Sequence, residues 1–247
     1  MIYDREDLIL IAKTSFSKSM ILQAVSALRR NTITIMIIPL TALGEEQYHK
    51  MERLPGCKPC LLTAKTITKM VMRKIRNSEF THILLSPELA NSPEFSNVAT
   101  DPIFKSRVGL VVVDELHVVK QWGREFRKQY GRLSSLRRKL GTGIPWFGTT
   151  ATLPDATLEA VKKSVAFKED VRVIRTSVDR PEISLIIQPI EKNKVKTFEG
   201  LYFVLNKVIN SSETGDYDLH VLSDIPKTII YFESKAVINK ALACIRG

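Results

Sequence analysis

Cysteine is scarce, with three in 247 residues. Cys57 and Cys60 form a CxxC, but no second pair exists to complete the four ligands of a structural zinc site. A disulfide framework is excluded as well, and the pair reads as two reduced loop thiols of a reducing compartment. No apolar run approaches the roughly 18–20 residues of a membrane helix. The start, Met1 to Asp7, is too acidic and too polar for a signal peptide. Internal repeats and low-complexity segments are absent. These absences set aside secreted and membrane-spanning classes and leave a soluble intracellular protein. What is present is globular: 44% hydrophobic and 26% charged residues.

The net charge is +11 and unevenly spread. Between Lys120 and Leu140, eight basic residues face Glu125 alone. Such a stripe suits a polyphosphate partner or is a solvated helix face, and charge by itself does not separate the two.

Short apolar, β-branched runs alternate with amphipathic stretches. Strands are expected at Leu8–Ala12, Ile33–Ile38, His82–Leu85, Val108–Val113, Trp146–Thr149 and Val171–Arg175, apolar on both faces as in a covered parallel sheet. Helices are expected at Lys18–Arg29, Thr41–Arg53, Ala64–Arg76, Arg124–Leu140 and Pro154–Val165. The alternation defines an α/β, doubly wound domain over 1–178. A connector over 179–196 follows, opened by the Asp179-Arg180-Pro181 turn. The region 197–247 holds a helix at Phe198–Ile209, a polar loop, a buried strand at Thr228–Phe232 and a helix at Lys235–Arg246. One strand–helix pair does not make a domain, so the second domain is expected to be incomplete.

The first strand runs into Thr14-Ser15-Phe16-Ser17-Lys18-Ser19. A strand, a tight loop and Lys-Ser opening a helix is the layout of a phosphate-binding loop. Lys18 would reach the outer phosphates and Ser19 would ligate magnesium. Ser15 and Ser17 stand where such loops usually carry glycine for close backbone approach. Further along, Asp114 and Glu115 end the run Val111–Val113, at the edge where α/β sheets bind ligands. Asp114 can hold magnesium, and Glu115 can orient and deprotonate an attacking water. An acidic pair there also serves as a helix N-cap; the phosphate loop upstream favours the nucleotide reading.

Asp114-Glu115-Leu116-His117, followed by Gln121-Trp122-Gly123, Phe126-Arg127 and Tyr130, resembles the RecQ family of superfamily 2 DNA helicases. Further matches keep the family's order: Pro39–Leu43 with Gln47, Ser86-Pro87-Glu88, Thr150-Ala151-Thr152, Asp179–Ile183 and Thr228–Phe232. The resemblance implies a P-loop NTPase with a RecA-like domain, then the start of a second one. It implies ATP and Mg2+ as cofactors and single-stranded or partly duplex DNA as partner. Its activity would be ATP-driven 3′-to-5′ unwinding, in the nucleus of a eukaryote, serving repair and recombination. Catalysis would fall to Lys18, Asp114, Glu115 and His117, nucleotide binding to 14–19, and metal binding to Ser19 and Asp114. DNA contact and coupling would fall to Pro39, Gln121, Trp122, Phe126, Arg127, Thr150 and Thr152. An aromatic face in the 121–130 loop would stack on a base beside phosphate-binding arginines.

The sequence departs from the family at Ser15 and Ser17. It also leaves no room for an upstream adenine-reading motif, and stops before the second domain's arginine finger. Two outcomes follow: a helicase part that is weak or inactive by itself, or a non-catalytic nucleic-acid- and nucleotide-binding remnant. A DEAD-box RNA helicase is disfavoured by His117 and the Gln121-Trp122-Gly123 loop.

Overall fold

The computed structural model describes residues 4–14, 18, 20–21, 31–39, 41–121, 130–181, 183, 198 and 229–246. Seven strands form one sheet: β1 (Leu8–Ile11), β2 (Ile33–Ile37), β3 (Pro59–Leu61), β4 (His82–Leu85), β5 (Val108–Val113), β6 (Trp146–Thr150) and β7 (Arg172–Arg175). Their spatial order is β3-β4-β2-β5-β6-β1-β7, and every neighbouring pair is parallel. The helices are α1 (Thr41–Glu52), α2 (Lys69–Arg76), α3 (Pro87–Ala90), α4 (Pro93–Ala99), α5 (Pro102–Arg107), α6 (Val118–Gln121), α7 (Leu133–Leu140), α8 (Asp155–Val165) and, in the second unit, α9 (Lys235–Arg246).

The period-two alternation of strands sorts the core into two layers. Ile9, Ile11, Ile35, Ile37, Val111 and Val113 face the layer built with α2, α4, α7 and α8. Leu10, Met36, Leu84, Val112 and Phe147 face the other layer, which Met51 of α1 covers. Central strands β2, β4, β5 and β6 are buried at every position, which is why they read as unbroken apolar runs. The edge strand β7 is largely exposed and carries Arg172 and Arg175, charges that discourage further pairing.

The six strands expected in the first unit are present, and so are the helices expected at Thr41–Arg53 and Pro154–Val165, within a residue or two; of the helices expected at Lys18–Arg29 and Arg124–Leu140, residues 22–29 and 124–129 lie outside the described residues, and the other differences have local causes. The helix expected from Ala64 begins at Lys69. Thr66 Oγ1 instead donates to the Leu61 carbonyl at 2.8 Å and accepts from Thr63 N at 2.8 Å. These bonds tie Thr63–Thr66 into a turn, and Thr68 then caps α2. Strand β3 was not expected, because Pro59 and the CxxC read as loop. Pro59 is tolerated at the first residue of an edge strand. Cys60 is therefore a buried strand residue and not a loop thiol; Cys57 and Cys60 are both free. Burial pushes the Cys60 thiol up to about 11. Helices α3, α4 and α5 were also unforeseen. Each follows a side-chain cap (Ser86, Ser92, Asp101) and opens on proline, a repeated signal that marks helix starts.

The N-terminal edge of the sheet is clamped by a buried ion pair. Arg137 of α7 donates to Asp7 from Nη1 at 2.7 Å and Nη2 at 3.1 Å. Asp7 also accepts from Trp146 N at 3.0 Å and Lys168 N at 2.8 Å. The guanidinium lies 5.3 Å from the centre of the Trp146 ring.

The chain divides into two units, Met1–Arg180 and Pro181–Gly247. In the second, α9 is the expected helix, but the strand expected at Thr228–Phe232 is not seen. Residues 229–232 carry no strand pairing, and Ile229 and Tyr231 are 76% and 87% exposed. An apolar run becomes a strand only where a neighbour completes its ladder, and none does among the described residues. The expected elements between 184 and 217 lie outside the described residues, apart from Phe198. No helix among the described residues is long and apolar enough to cross a membrane.

Candidate functional site

The parallel sheet brings the ends of β2, β5, β6 and β1 side by side at one edge. Backbone bonds fasten those ends together: Asp114 N to Ile37 O at 3.0 Å, Leu116 N to Thr149 O at 3.1 Å and Ala12 N to Thr150 O at 3.0 Å. Residues far apart in sequence thus meet at one crevice, the position where open α/β sheets take ligands.

Asp114 ends β5 and is held by its neighbour, Glu115 N donating to Oδ1 at 2.9 Å. Burial pushes the Asp114 carboxyl up to about 6, and the nearby Glu115 carboxylate adds to the rise. The Glu115 N–H, Lys18 and His117 oppose it. Glu115 takes a left-handed backbone, φ 52°, which is uncommon for a non-glycine residue and recurs at functional sites. Its Oε2 lies 3.1 Å from His117 Nδ1 without lining up as a hydrogen bond. The His117 bond goes to Thr150 Oγ1 at 2.9 Å. That hydroxyl donates to Thr152 O at 3.0 Å. Its single proton being so used, it accepts from His117, which places the imidazole proton on Nδ1. The bonds thus link the acidic end of β5 to the end of β6.

Lys18 lies at the start of the helical stretch after β1. Its Nζ donates to Ala12 O at 2.8 Å and Lys13 O at 3.0 Å, folding the ammonium onto its own loop. Thr14 Oγ1 accepts from Arg180 Nη1 at 3.3 Å, a contact that sequence reasoning missed, since Arg180 was read only as part of a turn. Ser15, Phe16, Ser17 and Ser19 lie outside the described residues.

Of the expected DNA-contacting and coupling residues, Thr150 is buried and Thr152 exposed, both in the bond network above, and Pro39 is buried at the end of β2. Gln121 ends α6, while Trp122, Phe126 and Arg127 lie outside the described residues. Tyr130, matched to the aromatic loop, is fully buried. Burial raises its hydroxyl pKa, and Glu88, Asp114 and Glu115 add to the rise. It packs in the core and offers no face to a base. The basic stripe is likewise divided. Arg137 is buried against Asp7, and Lys139 donates to Ser96 Oγ at 2.7 Å; Arg132 and Arg138 are exposed.

The donor set fits a magnesium nucleotide. Asp114 is a desolvated carboxylate whose charge a cation would restore, and Lys18 is a cation seated on a loop after a strand. Among the described residues no cluster of three or more His, Cys, Asp or Glu could hold a metal alone.

Fold and site together define a RecA-like nucleotide-binding α/β domain. A family model described as "DEAD/DEAH box helicase" matches residues 1–161, and the chain belongs to that family, with RecQ-type helicases among its homologues. It is 31% identical over 189 residues to a putative ATP-dependent DNA helicase Q1 of Caenorhabditis briggsae, covering 74% of this chain and 30% of that protein. It is 30% identical over 189 residues to the probable ATP-dependent DNA helicase RecS of Bacillus subtilis, covering 74% of this chain and 35% of RecS. The chain thus spans about a third of the length of these relatives. Among solved structures, the DUF1998 helicase MrfA superposes with a TM-score of 0.68 at 16% identity, covering 99% of this chain and 37% of that one. At that identity the likeness concerns the fold.

Proposed function

We propose that this chain is the N-terminal ATPase part of a RecQ-type, ATP-dependent DNA helicase. The observation that carries the reading is the convergence of Lys18, Asp114, Glu115 and His117 at one sheet edge, joined through Thr150 to β6. In this reading Lys18 leaves its carbonyls for the outer phosphates of ATP. Asp114 and Ser19 would hold Mg2+, and Glu115 would accept the proton of the attacking water. When bound, the cation would supply neutralisation of phosphate charge, while these residues would bind, orient and take the proton. The His117–Thr150–Thr152 bonds carry changes at the acidic pair toward the DNA-facing loops. The whole protein would translocate 3′ to 5′ on single-stranded DNA and unwind duplex. It would serve repair and recombination, in the nucleus if the source is eukaryotic.

Turnover by this chain is expected to be weak, because Ser15 and Ser17 occupy places where close phosphate approach favours glycine. Steady-state ATPase with and without single-stranded DNA, beside Glu115→Gln, is the test. DNA-stimulated turnover that the variant abolishes supports the motor reading. Turnover equal to that of the variant refutes it and leaves a nucleic-acid- and nucleotide-binding remnant.

A further inference from the structure

Helix α2 carries Lys69, Arg73, Lys74 and Arg76 and no acidic residue. All four side chains are exposed. Lys69, Arg73 and Arg76 line a groove of about 490 Å3 between α2 and α4, together with Met72, Glu94 and Asn97. Arg76 Nε is 3.8 Å from Asp101 Oδ2, and the other oxygen of that carboxylate caps α5. Lys69, Arg73 and Lys74 have no acidic partner within ion-pair distance among the described residues.

This arrangement is not what the helix itself requires. Cations suit the last turn of a helix, but Lys69 stands in the first, where the helix dipole opposes it. Lys69 and Arg73 are also spaced i, i+4, where like charges repel. A concave wall concentrates the resulting field. The cations from position 69 to 76 span about 10 Å at roughly 1.5 Å per residue. That is the axial length of about three phosphates on one DNA strand, at about 3.4 Å each. Helix α2 leads from β3, the edge strand on the far side of the sheet from β1, to β4. Five strand spacings of about 4.8 Å put β3 roughly 24 Å from β1, the strand that leads into the phosphate loop.

We propose that the α2–α4 groove is a second nucleic-acid contact, holding the backbone of duplex DNA through Lys69, Arg73 and Arg76, apart from the nucleotide crevice. It rests on the DNA-binding half of the proposed function and not on ATP turnover.

The test is binding of a fluorescent 20-base-pair duplex to the full chain, without nucleotide, across a salt series. Lys69→Gln/Arg73→Gln/Arg76→Gln should flatten the log–log salt slope by about 2–3 and weaken binding at least roughly tenfold at low salt. Glu94→Gln, which removes the groove's own acid, should tighten binding several-fold. DNA-free ATPase should be the same in all three proteins, so failure here is distinct from failure of the ATPase reading. An unchanged slope in the triple variant overturns the proposal and makes α2 a solvated face. Loss of binding to poly-glutamate with duplex binding intact also overturns it, in favour of an acidic protein partner.

Discussion

Asp114→Asn should make the ligand-free protein more stable at neutral pH while removing magnesium-dependent nucleotide binding. The Asp114 carboxyl is raised from 3.8 to about 6 in the folded chain. A raised carboxylate pKa means that folding favours the protonated form. The associated stability is present below the unfolded pKa near 3.8 and is lost as pH rises through about 6. The gap of roughly two units corresponds to about 3 kcal/mol at most, at 1.36 kcal/mol per unit. The side chain is partly reached by water, which lowers the expected figure to about 2 kcal/mol. Asparagine has no charge to desolvate, and its Oδ1 can still accept from Glu115 N. Urea unfolding of wild type and variant, followed by circular dichroism without divalent cations, should give similar midpoints near pH 4. By pH 7.5 the variant should lead by about 1 M urea, for a slope of about 2 kcal/mol/M. Other carboxylates titrate in both proteins and cancel in the difference. A stability difference that is flat from pH 4 to 7.5 would refute the reasoning. Adding Mg2+ with ATP should narrow the gap, since only wild type gains from binding.

Arg137→Met leaves the Asp7 carboxylate buried without its cation. The expected cost is about 3–5 kcal/mol, or a fall in Tm of about 6–20 °C for a unit of this size; a loss under about 1 kcal/mol would show that the pair is dispensable. Gly148→Ala, in the middle of β6, would bring a Cβ to 2.5 Å from Leu116 Cδ1 and 2.7 Å from Phe167 Cζ. Overpacking of about 1–3 kcal/mol should follow, and an unchanged unfolding midpoint would mean that those side chains yield freely.

Much of the sheet was legible because its central strands are buried on both sides. β2, β4, β5 and β6 show as continuous apolar runs with no helical period. The acidic pair was legible for the same reason: Asp114 and Glu115 are the first charged residues after six buried ones. What escaped was set by polar detail. The caps at Ser86, Ser92 and Asp101 create three short helices whose apolar content is too small to show a period. Ala64–Thr68 read as helix because propensity does not register hydroxyls that compete for the backbone. Tyr130 matches the family's aromatic loop, and a match in a motif does not reveal which way a ring points. The Asp7–Arg137 pair joins residues 130 positions apart, a separation at which pattern carries no signal.

The two edges of the sheet treat their buried charges in opposite ways, and the contrast supports a ligand-binding role for one of them. At the N-terminal edge Asp7 is fully buried, but bidentate Arg137 and two backbone N–H groups satisfy it. Such a carboxylate has nothing to gain from a further partner. At the C-terminal edge Asp114 has one backbone N–H, a carboxylate neighbour and a displaced pKa. Glu115 beside it adopts a left-handed backbone that costs about 1–3 kcal/mol unless its surroundings enforce it. Folding alone would remove both features, since asparagine or glycine would serve the local structure better. A bound cation reverses the account at Asp114 by supplying the charge that burial withholds. The same edge keeps Lys18 on carbonyl oxygens, partners that it can exchange for phosphate. Both features suit the magnesium nucleotide of the proposed function, a ligand carrying both signs of charge.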